Sequence, residues 1–144
     1  AKHQSARIEM DLPDALMSVV ADPVLIEQVL MNLIKNGLEA MGHLQPDQKR
    51  IEIKVGQSAQ FALIEVRDHG VGVPEDIRQR LFESFFTTKS DGMGMGLNIC
   101  RTIIEYHQGQ LWVEPAEGQG SVFKFTLPLA EDSVLAHMNP PVME

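Results

Sequence analysis

The sequence predicts an α/β fold, a two-layer sandwich in which about three helices cover one face of a mixed, mostly antiparallel sheet. Two observations favour this class. Strand-like segments come in neighbouring pairs that short turns can join as hairpins, and amphipathic helical segments stand between those pairs. A doubly wound parallel sheet would require strict alternation of strand and helix, which the sequence does not show.

Helical periodicity predicts two main helices, and apolar alternation predicts six strands. The first helix begins at Asp22-Pro23, where the acid is the N-cap and proline takes the first helical position, and it ends near Met41-Gly42. The second begins near residue 94 and ends near residue 107, with Gly109 closing it. The strands are expected at residues 7–10, 17–20, 51–55, 61–67, 110–114 and 121–127, with a short helix from residue 74 to 82 or 86.

Composition and charge narrow the classes of function. The chain has 144 residues, of which 44% are hydrophobic, as is typical of one soluble globular domain, and no apolar run is long enough to cross a bilayer. The net charge of −8 argues against a nucleic-acid surface, although backbone amides, a metal ion and a few lysines can still hold an anionic ligand. Cys100 is the single cysteine, which excludes an internal disulfide and fits a reducing compartment.

The loop Asp68-His69-Gly70-Val71-Gly72-Val73-Pro74 directly follows the strand expected at residues 61–67. Because glycine has no Cβ and tolerates positive φ, Gly70 and Gly72 suit a backbone that passes close to a flat ligand. A carboxylate at Asp68 can accept a hydrogen bond from an exocyclic amine, which would select adenine. On its own this pattern is more often a plain loop, so the prediction depends on the neighbouring motifs.

The first helix carries a polar face away from its apolar stripe. Asn32, Asn36 and Glu39 fall within about 60° of one another, with Lys35 on their flank. The alternative is a solvated face, but surface helices favour Glu, Lys and Arg over two asparagines four residues apart. Asparagine carbonyls are hard oxygen ligands, so Asn36 and Asn32 are candidates to hold Mg²⁺ against a triphosphate.

The second helix begins within a glycine-rich segment that contains Gly92, Gly94 and Gly96. Free N–H groups and the positive end of the helix dipole meet there, so we interpret the segment as phosphate-facing. Lys89 can reach a terminal phosphate as a point charge, and Lys35 is a weaker candidate. The alternative is a flexible tether whose methionines pack into the core. The commoner phosphate motifs, G-x-x-x-x-G-K-[ST] and G-x-G-x-x-G at a strand-to-helix turn, are absent.

Four segments, in order, resemble the motif boxes of bacterial sensor histidine kinases. Residues 32–40 are similar to the N box, 68–72 to the first glycine box, 81–89 to the F box and 92–97 to the second glycine box, while 118–127 match the closing strands. The resemblance covers about residues 7–129. The motif Phe-Phe-Thr-Thr-Lys at residues 85–89 is most similar to that of the nitrogen, oxygen and dicarboxylate sensor group.

The resemblance implies the Bergerat ATP-binding fold, shared with gyrase, heat-shock chaperone and mismatch-repair ATPases, and it implies ATP and Mg²⁺ as ligands. Asn36 would be the main Mg²⁺ ligand, with Asn32 near the metal and phosphates. Asn32, Lys35 and Lys89 would form the catalytic set. Asp68 would bind the adenine amine. The remaining nucleotide and lid contacts would come from Gly70, Gly72, Phe82, Phe85, Phe86, Thr88, Gly92, Gly94, Gly96 and Leu97.

The sequence departs from the family pattern in several places. Met93 and Met95 stand where threonine and leucine are usual, and Gly37 replaces an alanine, changes expected to loosen the lid or helix without abolishing binding. His3 does not sit in a helix of the kind that carries the phosphoacceptor, so the chain should not phosphorylate itself. Asn32 stands where ATPase members have a water-activating glutamate, and it cannot take a proton, so we expect little hydrolysis of free ATP.

We therefore expect a sensor histidine kinase catalytic domain over residues 1–129, in which 1–6 are a linker remnant, and a poorly ordered tail over 130–144. Its partners would be ATP, a dimerisation and phosphoacceptor hairpin outside this chain, and a response regulator. The domain would be a cytoplasmic, bacterial monomer that binds no nucleic acid. Two alternatives stay open here: a serine kinase of the anti-sigma type with the same fold, and a degenerate regulatory module that binds no nucleotide.

Overall fold

The structure is a computed structural model that describes residues 6–12, 19–83 and 95–130. A five-stranded sheet carries two main helices on one face. The elements are β1 (Arg7–Asp11), α1 (Pro23–Ala40), a 3-10 helix (Pro46–Gln48), β2 (Arg50–Gln57), β3 (Phe61–Arg67), α2 (Glu75–Arg78), α3 (Met95–Tyr106), β4 (Leu111–Pro115) and β5 (Ser121–Pro128).

The sheet has the strand order β1-β2-β3-β5-β4. β1 pairs parallel to β2, and the other three pairings are antiparallel, so the predicted mixed, mostly antiparallel sheet is confirmed. The strand predicted at residues 17–20 is not formed in its described part: Val19 makes only an isolated bridge with Leu129. Residues 17 and 18 lie outside the described residues.

One face of the sheet forms the hydrophobic core. Alternate residues of β3 and β5 point into it, and Phe125 of β5 is fully buried. α1 contributes Val29 and Leu33 and α3 contributes Cys100 and Ile104, all with no exposed surface, as the helical apolar stripes predict. The opposite face of the sheet carries charged side chains. This alternation places Asp68, the residue after β3, on the core face.

The ends of α1 and α3 are tied together by His107. The N-cap prediction for Asp22 is confirmed, because its Oδ1 accepts from the amides of Val24 (3.0 Å) and Leu25 (3.4 Å). The amide of Asp22 in turn donates to Nε2 of His107 at 3.0 Å, and Nδ1 of that ring lies 2.7 Å from the carbonyl of Ile103. Since Nε2 accepts, the ring proton belongs on Nδ1, where it can donate to Ile103.

The C-terminus of α3 differs in detail from the expectation that Gly109 closes it. Gln108 takes the left-handed conformation with φ of 68°, and the amide of Gly109 donates to the carbonyl of Ile104 at 2.9 Å. This is the Schellman pattern with a non-glycine residue at its left-handed position. Glycine is required at position 109 for another reason: a Cβ there would collide with the carbonyl oxygen of Thr126 in β5.

Candidate functional site

Asp68 is a buried carboxylate at the junction of β3 and its following loop. Its side chain is 3% exposed, and Oδ1 accepts from the amides of Gly70 (2.8 Å) and Ser121 (3.4 Å). Among the described residues, no group hydrogen-bonds Oδ2. Burial raises the pKa of this carboxyl, and the Gly70 and Ser121 amides, followed by the charges of His69 and Arg67, oppose that rise. One oxygen is thus held by the protein while the other is left for a ligand.

The loop after Asp68 packs tightly against α1 and β5. A Cβ on Gly70 would lie 2.5 Å from the carbonyl oxygen of Ala40, and Gly72 has a positive φ of 79°. Both residues therefore need to be glycine for reasons of packing and backbone conformation. The predicted close approach to a flat ligand stays a prediction.

α1 reaches Asp68 through Gly37, which is buried. A Cβ at this position would come within 3.2 Å of Cβ of Asp68 and 2.6 Å of Cδ1 of Ile51. The departure from alanine noted in the sequence thus lets α1 lie directly against Asp68. Asn36, the preceding residue, is half-buried at the same end of α1.

Asn32 lies one turn earlier on α1 and faces α3. It is half-buried, and its Nδ2 donates to Sγ of Cys100 at 3.5 Å. Burial raises the pKa of the Cys100 thiol, opposed by this hydrogen bond, so the sulfur stays protonated. The contact fixes the carboxamide, with its nitrogen directed at α3 and its oxygen directed elsewhere.

The remaining predicted site residues that the structure describes are Lys35, Phe82, Gly96 and Leu97. Lys35 is exposed on α1, and Gly96 is exposed with open space where a Cβ would lie. Leu97 packs against the core, and Phe82 meets Phe123 edge-on, with ring centroids 6.4 Å apart, while the Arg101 guanidinium lies 5.0 Å from the Phe82 ring centroid. Six predicted residues lie outside the described part of the chain: Phe85, Phe86, Thr88, Lys89, Gly92 and Gly94.

Sequence reasoning missed three residues that build the site. Ser121 supplies one of the two amides on Asp68, and a Cβ on Gly120 would collide with the Asp68 carbonyl, while Cys100 holds Asn32. The pairing of β3 with β5, which the sequence did not predict, brings the first two to Asp68. No sequence signal linked Cys100 to Asn32.

The two asparagines of α1, Asn32 and Asn36, suit a cation that takes most of its ligands from water and substrate. Across residues 6–12, 19–83 and 95–130 there is no group of three or more His, Cys, Asp or Glu side chains that could form a metal cage. Asparagine oxygens on one helix would suit Mg²⁺, which uses few protein ligands and completes its shell with water and substrate phosphates.

Comparison with known proteins defines the family. Residues 21–131 match the model of the histidine kinase-, DNA gyrase B-, and HSP90-like ATPases. The chain belongs to this ATPase family. The predicted family and the α/β fold are therefore confirmed, and the family implies ATP as the ligand.

Two similar proteins indicate which kind of protein within this ATPase family the chain resembles. The C4-dicarboxylate transport sensor protein DctS of Rhodobacter capsulatus is 40% identical over 136 residues, covering 94% of this chain and 21% of that protein. The sensor protein FixL of Bradyrhizobium diazoefficiens is 40% identical over 134 residues, covering 92% and 26%. The chain thus spans about a fifth to a quarter of the length of these two relatives.

Among solved structures, the catalytic domain of histidine kinase ThkA, in a nucleotide-free form, superposes with a TM-score of 0.76 at 35% identity. The match covers 87% of this chain and 80% of that domain. This ATPase-family chain is accordingly a catalytic domain of the sensor histidine kinase type. No helix within the described residues is both long and apolar enough to span a membrane.

Proposed function

We propose that this domain binds ATP with Mg²⁺ and presents the γ-phosphoryl group to a histidine on a dimerisation hairpin outside this chain, from which a response regulator receives it. One observation carries the proposal: the buried Asp68 carboxylate keeps one oxygen without a partner among the described residues, beside an ATPase-family helix that carries two asparagines. The bacterial relatives support a setting in the bacterial cytoplasm, where ATP is available. The domain boundary at residue 129 stays part of the proposal.

Adenine selection would rest on Asp68. The amides of Gly70 and Ser121 occupy Oδ1, so the acceptor lone pairs of Oδ2 are oriented by the backbone before any ligand arrives. An exocyclic amine donates to such an oxygen, whereas the carbonyl of guanine at the same place would repel it. Gly70 and Gly72 would then lie along the base.

Asn36 and Asn32 would hold Mg²⁺ on the phosphate side of α1. The bound ion would neutralise phosphate charge. The Asn32 amide nitrogen is already engaged by Cys100, so its oxygen is the atom presented to the metal or phosphates. Lys35 would add a cation at the flank of this face.

The segment between α2 and α3 would close over the phosphates. Phe82, just before the undescribed residues 84–94, packs against Phe123 and Arg101. Leu97, just after them, packs against the core at the start of α3. Between these anchors stand the remaining proposed contacts, which are Phe85, Phe86, Thr88, Lys89, Gly92, Gly94 and Gly96.

Phosphoryl transfer depends on positioning and charge neutralisation, and the nucleophile would be the histidine of the hairpin. Asn32 stands where a water-activating carboxylate would be needed, and an amide cannot accept a proton. We therefore propose that free ATP is hydrolysed slowly and that the domain acts as a transferase.

Transfer in trans tests this proposal. The chain is mixed with γ-labelled ATP, Mg²⁺ and a separate polypeptide that carries the phosphoacceptor hairpin of the longer protein. We expect acid-labile, base-stable label on the hairpin, lost when its histidine is replaced by glutamine and when Asn36→Ala is used. Acid-stable label on serine, or label that persists without the hairpin, would contradict the proposal.

A further inference from the structure

The charged face of the sheet, opposite the core, contains a cavity that the nucleotide site does not use. It measures about 400 Å³ and lies between the start of β1, the α1–β2 connection and His69. This volume falls in the range of roughly 300–1,000 Å³ that holds small ligands. Its charged lining consists of Arg7, Lys49 and Arg50 against Asp47 alone.

We propose that this cavity binds a small organic anion bearing carboxylate or phosphate groups. The sign of the charge is the first argument. The whole chain carries −8, yet the cavity lining has an excess of two cations, with the His69 imidazole as a further donor or acceptor. A local cation excess on an acidic protein concentrates anions at that point of the surface.

The second argument is that too few carboxylates serve these cations. Glu52 faces His69 at 3.0 Å, but its oxygens stay 3.8 Å from Nε of Arg50 and 3.7 Å from Nε of Arg67. Both Nε atoms are buried without a hydrogen bond. Glu9 is shared in the same way, at 3.5 Å from Arg7 and 4.0 Å from Arg50. An oxyanion in the cavity would complete the coordination of the Arg50 terminal nitrogens, one of which now lies 3.4 Å from the His69 ring.

The cavity is distinct from the nucleotide site, although the two are neighbours along the chain. Asp68 lies against Gly37 on the helix side of the sheet, whereas His69 points to the opposite face, toward Glu52. A ligand in the cavity would therefore touch His69 without touching the neighbouring Asp68 carboxylate, which is proposed to bind adenine.

Titration calorimetry of the whole chain with citrate and, separately, with inorganic phosphate tests the proposal at constant ionic strength. We expect saturable binding of one or both probes, weakened at least tenfold by Lys49→Gln and by Arg7→Gln. Lys54→Gln is the matched control, because Lys54 lies on β2, faces the same side as Arg50 and does not line the cavity. It should leave the affinity unchanged.

The two probes identify the ligand chemistry. Citrate binding alone supports a carboxylate ligand, and phosphate binding alone supports a phosphorylated ligand provided that Asn36→Ala, a variant on the phosphate side of the nucleotide site, leaves it intact. No saturable binding of either probe, or equal losses for Lys49→Gln and Lys54→Gln, would overturn the proposal. Because Asn36→Ala changes the nucleotide site and no residue of the cavity lining, failure here is distinguishable from failure of the proposed kinase function.

Discussion

Asp68 shows how one buried charge can be prepared for a ligand. Its two oxygens have different surroundings: backbone amides hold Oδ1, and Oδ2 has no described partner. Burial raises the carboxyl pKa because the two amides, with His69 and Arg67 nearby, do not fully replace water. Burial of this charged carboxylate therefore lowers the stability of the folded domain, and a hydrogen bond from a bound amine would reduce that loss.

Replacing Asp68 by asparagine should separate this binding role from a structural one. The side-chain oxygen must keep accepting from Gly70 and Ser121, so the new amide nitrogen takes the place of Oδ2 and opposes the adenine amine with a donor. Loss of a hydrogen bond to a charged group costs about 1.5–3 kcal/mol, or roughly 10- to 150-fold in the dissociation constant for ATP. Calorimetric titration with Mg-ATP measures it, and an unchanged affinity would contradict the assignment.

The same substitution should reveal the cost of the buried charge through pH. A raised pKa means that the folded state binds the proton more tightly than the unfolded state, so this group lowers stability as pH rises from its ordinary value of 3.8 through the folded value. The Asp68→Asn variant lacks this effect. Its stability relative to wild type should therefore be more favourable at pH 7 than near pH 4, measured by urea unfolding. A difference that is constant or reversed would show that the carboxylate is not destabilising.

Gly70 makes the packing of the loop against α1 testable. A methyl group at position 70 would overlap the Ala40 carbonyl, which is backbone and cannot move aside cheaply. We expect Gly70→Ala to destabilise the domain by about 1–3 kcal/mol in urea unfolding. Gly56→Ala is the control, because no atom lies within 4 Å of its Cβ position and its φ is not positive. That change should be neutral or stabilise by up to about 1 kcal/mol. Equal effects at the two positions would refute the packing explanation.

At the scale of elements, α1 and α3 form a connected pair. His107 joins the start of α1 to the end of α3, and the Asn32–Cys100 hydrogen bond joins their middles. Asn32, one of the two proposed metal ligands, is thus positioned partly by a helix distant in sequence. A change at the end of α3 can test how firmly that helix is closed.

Gln108→Gly should stabilise the domain. Gln108 holds a left-handed φ of 68°, which costs an L-residue about 1–2 kcal/mol, and glycine removes that cost at the expense of a more flexible unfolded chain. We expect a net gain of about 0.5–1 kcal/mol in thermal or urea unfolding. Gln108→Ala removes the same side chain but keeps Cβ, so it should bring no gain. A gain for alanine, or a loss for glycine, would count against the Schellman ending.

At the scale of the whole molecule, local patterns predicted most elements. Period-two alternation located β2 to β5, and the Asp22-Pro23 signal located the start of α1. The parallel pairing of β1 with β2 was not predictable, because nothing within residues 7–11 specifies a partner some 40 residues away. Residues 17–20 alternate like a strand, yet Val19 makes a single bridge, because partner availability, not local pattern, decides strand formation.

The candidate site was predictable as a set of motifs, and its supports were not. Asp68 and Asn36 stood out because their chemistry is unusual in their positions. Gly120, Ser121 and Cys100 support the site only through contacts made by residues more than 50 positions apart, and single-residue chemistry does not reveal such contacts. The reason for Gly70 likewise lies in Ala40, on another element.

The central claim is that Asp68 and Asn36 together form a Mg-ATP site, and the melting temperature of wild type and Asn36→Ala with and without nucleotide tests it most directly. With ATP and Mg²⁺ at a hundred times the dissociation constant, the wild-type domain should gain about 2.7 kcal/mol of stability. We expect an upward shift with ATP, none with GTP, and a much smaller shift for Asn36→Ala. If neither protein shifts at millimolar ATP, or if GTP shifts wild type as far as ATP does, the site is not the one described.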